Sequence, residues 1–88
     1  MVYLITYDLN KEGQDYEALY KAIKSCCSSW CRFMKSAWFI ETTSSEDEIR
    51  DCLLPVMDKN DLLFITKVSK QYKGWLTDDV WNWLKDRV

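Results

Sequence analysis

Residues 37–53 read AWFIETTSSEDEIRDCL, and this stretch decides the fold. Its first part, Ala37 to Thr42, is apolar with aromatic and β-branched residues, and it predicts a strand. Ser45 follows, with Glu48 three residues later. This is the capping-box pattern, in which each side chain can satisfy a backbone N–H group at the start of a helix. A strand that leads into a capped helix indicates a chain that mixes both kinds of element.

Toward the C-terminus, Pro55 predicts a break or kink in this helix because proline cannot continue the hydrogen-bond ladder. Leu62 to Val68 then predicts another strand, and Thr77 with two following acidic residues predicts the start of a last helix. The apolar stripe of the capped helix consists of Ile49, Cys52, Leu53 and Val56.

Toward the N-terminus, Val2 to Tyr7 predicts a buried strand, and a polar connection follows at 10–13. Apolar residues then recur with helical spacing from Tyr16 to Ile23, with charged residues between them, which predicts an amphipathic helix. Trp30 to Met34 predicts a short strand that joins the strand at residue 37 through Lys35-Ser36.

The predicted order is β-α-β-β-α-β with a further helix, in a single domain at 1–88 with its core at 2–68. This is the ferredoxin-like arrangement, an α+β fold in which a four-stranded antiparallel sheet carries both main helices on one face. The other face is bare unless the tryptophan-rich helical extension at 74–88 or a second chain covers it. We therefore expect a homodimer, with the side chains of Tyr3, Tyr7 and Trp38 available on the bare face. The extension is a further candidate contact for a protein partner.

The composition excludes several classes of protein. A net charge of −2 with 48% apolar residues excludes a disordered tail. No apolar run approaches the length of a membrane span, and no basic segment precedes Val2, so we expect a cytoplasmic protein with no membrane contact. The absence of histidine removes the commonest general base and metal ligand, which leaves carboxylates, Cys, Lys and Tyr for any chemistry.

Charge is unevenly distributed along the chain. Residues 41–61 carry seven acidic and two basic side chains, whereas Lys67, Lys70 and Lys73 form a short basic stretch. These three lysines are the candidate contacts for nucleic-acid phosphates, and Trp75 could stack on an unpaired base. Because the domain lacks a general basic excess, we expect nucleic-acid binding to be weak. The alternative is that the lysines only protect an exposed sheet edge from pairing.

The four cysteines, at 26, 27, 31 and 52, leave three alternatives open. The interpretation we favour is reduced thiols partly packed in the core. A zinc site is the second alternative, although its usual Cys-x-x-Cys pairs are missing. A disulfide framework is the third, and it would require an exported chain.

Three segments together resemble a known family. The first predicted strand ends in Tyr-Asp-Leu at 7–9, the middle of the chain reads KSAWFIE at 35–41, and DLLFI stands at 61–65. In their order, these motifs resemble the second CRISPR-associated protein family, the small ferredoxin-like partner of the CRISPR integrase, and especially its stand-alone relatives. The resemblance spans residues 2–68.

The resemblance implies roles for individual residues. Asp8 matches the position that this family pairs across a homodimer to hold a divalent ion, Mg²⁺ or Mn²⁺. Ser36 and Phe39 match its third-strand motif, in which the serine lies near that ion. Three features depart from the family: this chain is acidic, it has one extra residue between Ser36 and Phe39, and its extension at 74–88 replaces the terminal strand.

Three functions are consistent with this pattern. The first is a homodimeric, non-catalytic interaction or adaptor module, which we favour because of the charge. The second is a divalent-metal-dependent endonuclease that hydrolyses RNA or DNA phosphodiesters with Asp8 as its catalytic metal ligand, helped by Asn10 and Asp61. The third is a small toxin-like endoribonuclease related to virulence-associated protein D. The alternative for Asp8 is a purely structural role in the turn after the first strand.

Overall fold

The computed structural model describes residues 1–11 and 16–88, and the described chain is an α+β domain with an antiparallel sheet, as predicted. Residues 12 and 13 of the predicted polar connection lie outside the described residues. The strands are β1 Val2–Asp8, β2 Ser29–Met34, β3 Ala37–Glu41 and β4 Leu62–Lys67, and the helices are α1 Glu17–Ser25, α2 Glu46–Leu53 and α3 Asp78–Lys85.

The four strands lie in the order β2-β3-β1-β4, so β1 is central and β2 and β4 are the edges. All pairs are antiparallel. Thr6 of β1 pairs with Ala37 of β3 on one side and with Phe64 of β4 on the other. The register places the C-terminal end of β1 beside the start of β4, with Asp8 opposite Leu62.

The transition into α2 follows the predicted capping box. The Ser45 hydroxyl accepts a hydrogen bond from the Glu48 backbone N–H at 3.2 Å, and the Glu48 carboxylate accepts one from the Ser45 N–H at 3.1 Å. The helix ends at Leu53, and Pro55 lies in a single 3₁₀ turn, Leu54–Val56, that follows it. The predicted break is therefore confirmed.

One face of the sheet carries α1 and α2. Successive residues of a strand point to opposite faces, so the odd-numbered residues of β1 point together toward these helices. The buried residues of this core are Tyr3, Ile5, Tyr7, Leu19, Ile23, Trp38, Ile40, Ile49 and Leu53. The expectation that Tyr3, Tyr7 and Trp38 lie on a bare face is therefore wrong. Their rings form the centre of the helix-side core, and Trp38 Nε1–H donates a hydrogen bond to the Tyr7 hydroxyl at 2.9 Å.

The opposite face carries α3, which covers only part of it. Val80 and Leu84 of this helix are buried against Val2 and Phe39 of the sheet. Trp83 Nε1–H donates to the Ser29 hydroxyl at 3.1 Å. The predicted helix start at Thr77 is confirmed, but the Thr77 side chain makes no capping hydrogen bond.

A second anchor holds the end of α3 on the sheet. The Arg87 guanidinium lies 3.5 Å from the Glu41 carboxylate and stacks on the Trp83 ring at 4.5 Å from its centroid. Trp81 and Trp83 thus pack within the molecule, whereas Trp75, before the helix, is 98% exposed. The extension therefore uses its helical tryptophans in its own core.

Candidate functional site

Where α3 does not cover the sheet, the sheet exposes apolar side chains. Phe64 is 60% exposed and Leu62 63% exposed, although both belong to β4. Thr6 and Asp8 are their partners in β1, and these four residues line a shallow depression of about 250 Å³. We call Thr6, Asp8, Leu62 and Phe64 the open surface. Met34 lies in the same row of the sheet, through its pairing with Ala37, and is 56% exposed.

Asp8 is the last residue of β1, and its side chain is exposed on the open surface. It is even-numbered in β1, so it points away from α1 and α2 and toward the face that carries α3. The Asp8 carbonyl oxygen accepts a hydrogen bond from the Asn10 side chain at 3.3 Å. Asp8, the predicted metal ligand, is thus accessible to solvent, and it lies beside the apolar side chains of Leu62 and Phe64.

Asn10 and Asp61, the predicted helpers of Asp8, take part in one hydrogen-bonded cluster. The Asp61 carboxylate accepts hydrogen bonds from the Asn10 N–H at 2.8 Å, the Asp58 N–H at 2.8 Å and the Tyr16 hydroxyl at 2.9 Å. Partial burial favours a higher pKa for Asp61, but these hydrogen bonds outweigh it and hold the pKa below the ordinary value of an aspartate. The Asp61 carboxylate therefore joins the loop after β1 to the loop before β4.

Replacing Asp61 tests this structural role. We expect Asp61→Ala to lower the free energy of unfolding by about 1 to 3 kcal/mol at neutral pH, because three donors lose a charged acceptor. Since the folded pKa is lowered, the contribution is present above the ordinary aspartate pKa and is lost as the pH falls through the folded value. Urea unfolding should therefore show the difference from wild type at pH about 7 and a smaller one below pH about 4.

Asp51→Ala is the matched control, because Asp51 is exposed on α2 and pairs only with Arg50 in the described structure. It should change the stability by less than about 0.5 kcal/mol. An equal loss for the two variants, or a difference that does not depend on pH, would contradict the role assigned to Asp61.

The two third-strand residues of the resemblance separate in the structure. Ser36 lies at the same end of the sheet as Asp8, since its carbonyl oxygen accepts hydrogen bonds from the Tyr7 N–H at 3.1 Å and the Thr6 hydroxyl at 3.0 Å. Phe39 instead stacks on Phe33 with ring centroids 4.0 Å apart, beneath α3. Only Ser36 is close to the end of the sheet that carries Asp8.

The three candidate phosphate contacts do not form one cluster. Lys67 is the last residue of β4 and pairs with Tyr3, so its side chain points toward the face that carries α1 and α2. Lys70 and Lys73 lie after β4 and line one shallow depression with Gln71 and Tyr72. Lys67 is also five residues along β4 from Leu62, which places it about 17 Å from the Asp8 end of the strand. The structure therefore brings Lys70 and Lys73 together and separates Lys67 from Asp8.

The cysteines lie at half-buried positions, and the structure describes all four as free thiols. Burial raises the pKa of the Cys26 thiol to about 12, and the neighbouring thiols of Cys52 and Cys27 add to the effect. A thiol of this pKa is almost fully protonated at neutral pH and is a poor nucleophile. Among residues 1–11 and 16–88, no group of three or more Cys, Asp or Glu side chains is placed to hold a metal ion.

Sequence reasoning predicted a bare sheet face but did not assign Leu62 and Phe64 to it, although a signal for them exists. Leu62-Leu63-Phe64-Ile65 is apolar at consecutive positions, so both faces of this strand are apolar. Leu63 and Ile65 pack against the helix-side core, and Leu62 and Phe64 are left exposed. A strand that is apolar on both faces predicts a surface that needs a second covering layer.

No family model matches the chain, and no curated protein matches it in sequence. In the part of the chain that the structure describes, no helix has the length and apolar character needed to span a membrane.

Proposed function

We propose that the protein is a homodimeric, non-catalytic interaction module with a ferredoxin-like fold, and that it dimerises through the open surface. The strand order β2-β3-β1-β4, with α1 and α2 on one face, supports the fold assignment. The observation that carries the dimer is the exposure of Phe64 and Leu62 on a sheet face that α3 covers elsewhere. Adjacent large apolar side chains at such a position are typical of a protein contact.

The position of α3 restricts how two copies can meet. Stacked sheets lie about 10 Å apart, and a helix with its side chains is about 10 Å wide, so α3 of each copy fills the space that a fully overlapping partner needs. Two copies can therefore overlap only at their open surfaces, related by a two-fold axis that runs across the strands. In this arrangement Phe64 and Leu62 of one copy pack against the same residues of the other.

The same arrangement brings the two Asp8 carboxylates toward each other. A pair of like charges is unfavourable unless a proton or a cation is shared between them. Mg²⁺ and Mn²⁺ are suitable because they bind carboxylate oxygens and retain several waters. One chain supplies only one such carboxylate, so the ion would bind in the dimer and not in the monomer. This geometry favours a second candidate function, a metal-dependent endonuclease that uses the paired Asp8.

Light scattering after size-exclusion chromatography tests the dimer. We expect wild type to elute at twice the chain mass of 10.5 kDa, and Phe64→Lys to elute at the chain mass with an unchanged circular dichroism spectrum. The matched control is Leu54→Lys, because Leu54 is also half-exposed but lies in the 3₁₀ turn after α2. A wild-type monomer over a wide range of protein concentration, or dissociation by both substitutions, would refute the proposal.

Asp8→Asn separates the two candidate functions. It removes the negative charge but keeps the shape, so we expect it to strengthen the metal-free dimer and to remove any strengthening by Mg²⁺. If the protein is an interaction module, labelled RNA and DNA should remain intact after incubation with the protein and Mg²⁺. Cleavage by wild type that is lost in Asp8→Asn would instead establish the endonuclease.

A further inference from the structure

A cavity of about 330 Å³ lies between the sheet, α3 and the segment at 68–76. Its inner surface is apolar and includes the side chains of Leu4, Phe39 and Leu84. Tyr72 and Trp81 form one wall, with ring centroids 5.9 Å apart and planes 15° apart. This volume lies within the range of small-molecule sites, which begin at about 300 Å³.

The lining residues that are exposed to solvent are polar. Ser69, Gln71 and Lys73 are exposed and belong to the segment that edges the cavity. The Ser69 hydroxyl accepts a hydrogen bond from the Gln71 N–H at 3.2 Å, which leaves its own proton free to donate. None of the described residues that line the cavity is acidic, and Lys73 forms no ion pair within residues 1–11 and 16–88.

Lys67 also lines the cavity, but its side chain points to the other face of the sheet. It pairs with Tyr3, which is buried against α1 and α2, whereas its neighbours Thr66 and Val68 point toward α3. Lys73 therefore supplies the positive charge at this cavity. A chain of net charge −2 thus combines a pocket of aromatic and aliphatic side chains with neutral hydrogen-bond donors and an ammonium group that has no ion pair among the described residues.

We propose that this cavity binds a small aromatic carboxylate, with its ring against Tyr72, Trp81 and Phe39 and its carboxylate at Lys73 and Ser69. A flat ring fits between aromatic and aliphatic side chains, and the carboxylate remains at the polar edge, where it keeps part of its hydration. A ligand of about 13 non-hydrogen atoms is expected to bind with a Kd of about 0.02 to 1 mM. This site is separate from the open surface and does not depend on dimerisation.

Titration with 2-naphthoate, followed by the indole N–H resonances in nuclear magnetic resonance spectra, tests the proposal. We expect the Trp81 resonance, assigned with Trp81→Phe, to shift with saturation, and that of exposed Trp75 to shift less. The neutral 2-naphthylmethanol and the cationic 2-naphthylmethylammonium should bind more weakly. Equal affinity for the three probes, or shifts confined to residues outside the cavity, would overturn the assignment.

Lysine variants provide the second measurement and do not disturb the core. Lys73→Gln should lower the affinity for 2-naphthoate about three- to fivefold and leave the affinity for 2-naphthylmethanol unchanged. Lys67→Gln and Lys70→Gln are the matched controls and should have smaller effects, since the Lys67 side chain points away and Lys70 does not line the cavity. Equal weakening by all three substitutions would show a general charge effect and contradict the site. If a short oligonucleotide displaces 2-naphthoate and shifts the Trp81 indole resonance more strongly than 2-naphthoate does, the assignment is also overturned, in favour of nucleic-acid binding.

Discussion

Trp38→Ala should lower the free energy of unfolding by about 3 to 5 kcal/mol, the range found for removing a buried aromatic side chain. Trp38 is 1% exposed and lies where β3, α1 and β2 meet, with the Tyr20 ring centroid at 6.1 Å and the Trp30 centroid at 5.2 Å. The substitution also removes the indole N–H that donates to the buried Tyr7 hydroxyl. Since a domain of this size has a total stability of about 4 to 13 kcal/mol, this loss removes about a quarter of the total or more, and the variant is expected to unfold at a much lower urea concentration than wild type.

Urea unfolding followed by circular dichroism measures this effect, with two companion variants. Trp30→Ala is the control, because Trp30 is 43% exposed and packs on the outer side of Trp38, so we expect a loss below about 1.5 kcal/mol. Trp38→Phe keeps an aromatic ring but removes the hydrogen bond to Tyr7, and it should lie between the other two. Equal losses for Trp38→Ala and Trp30→Ala would contradict the position of Trp38 at the centre of the core.

Leu84→Asp should detach α3 from the sheet. Leu84 is 1% exposed and packs against Val2 and Phe39, so the substitution places a carboxylate in an apolar environment without a partner. We expect the hydrogen-bonded amides of α3, at 81–85, to lose at least about 100-fold of their protection from hydrogen exchange, which corresponds to about 3 kcal/mol. The amides of α1 should keep their protection, because their core lies on the opposite face and does not contain Leu84.

Asn82→Asp is the control for this experiment, because it adds the same charge at an exposed position of the same helix. Its hydrogen-exchange pattern should match that of wild type. Binding of a hydrophobic dye should increase for Leu84→Asp, since Phe39 and Leu4 become exposed, and should not change for Asn82→Asp. Equal loss of protection in α1 and α3 would show that the two faces unfold as one unit and would contradict a separable helix.

Several features of the fold could be predicted from the sequence because their causes are local. The capping box at Ser45 and Glu48 acts within one turn of helix, and both of its hydrogen bonds are present. Pro55 ends α2 at Leu53 because it lacks a donor for the helical ladder. The number and order of the strands and main helices followed from such signals and from the spacing of the apolar residues.

The candidate site depended on interactions between residues distant in sequence. Asp61 was predicted only as a helper of Asp8, and the structure adds that its carboxylate accepts hydrogen bonds from Asn10 and Tyr16, about 50 residues away in sequence. The three lysines of 67–73 are close in sequence, but side chains alternate between the two faces along β4, and Lys67 therefore points to the face that carries α1 and α2. Proximity in sequence therefore did not determine which charged groups share a surface.

The sequence by itself determined the α+β class, the helix starts and the break at Pro55. Only the tertiary structure decided which side of the sheet each residue faces. A strand that is apolar at consecutive positions gives no periodic signal for either face, and Tyr3, Tyr7 and Trp38 were therefore assigned to the wrong one. The docking of α3 on part of the second face also depends on long-range contacts, such as the ion pair of Arg87 with Glu41. That docking leaves Leu62 and Phe64 exposed and forms one side of the cavity lined by Tyr72 and Trp81.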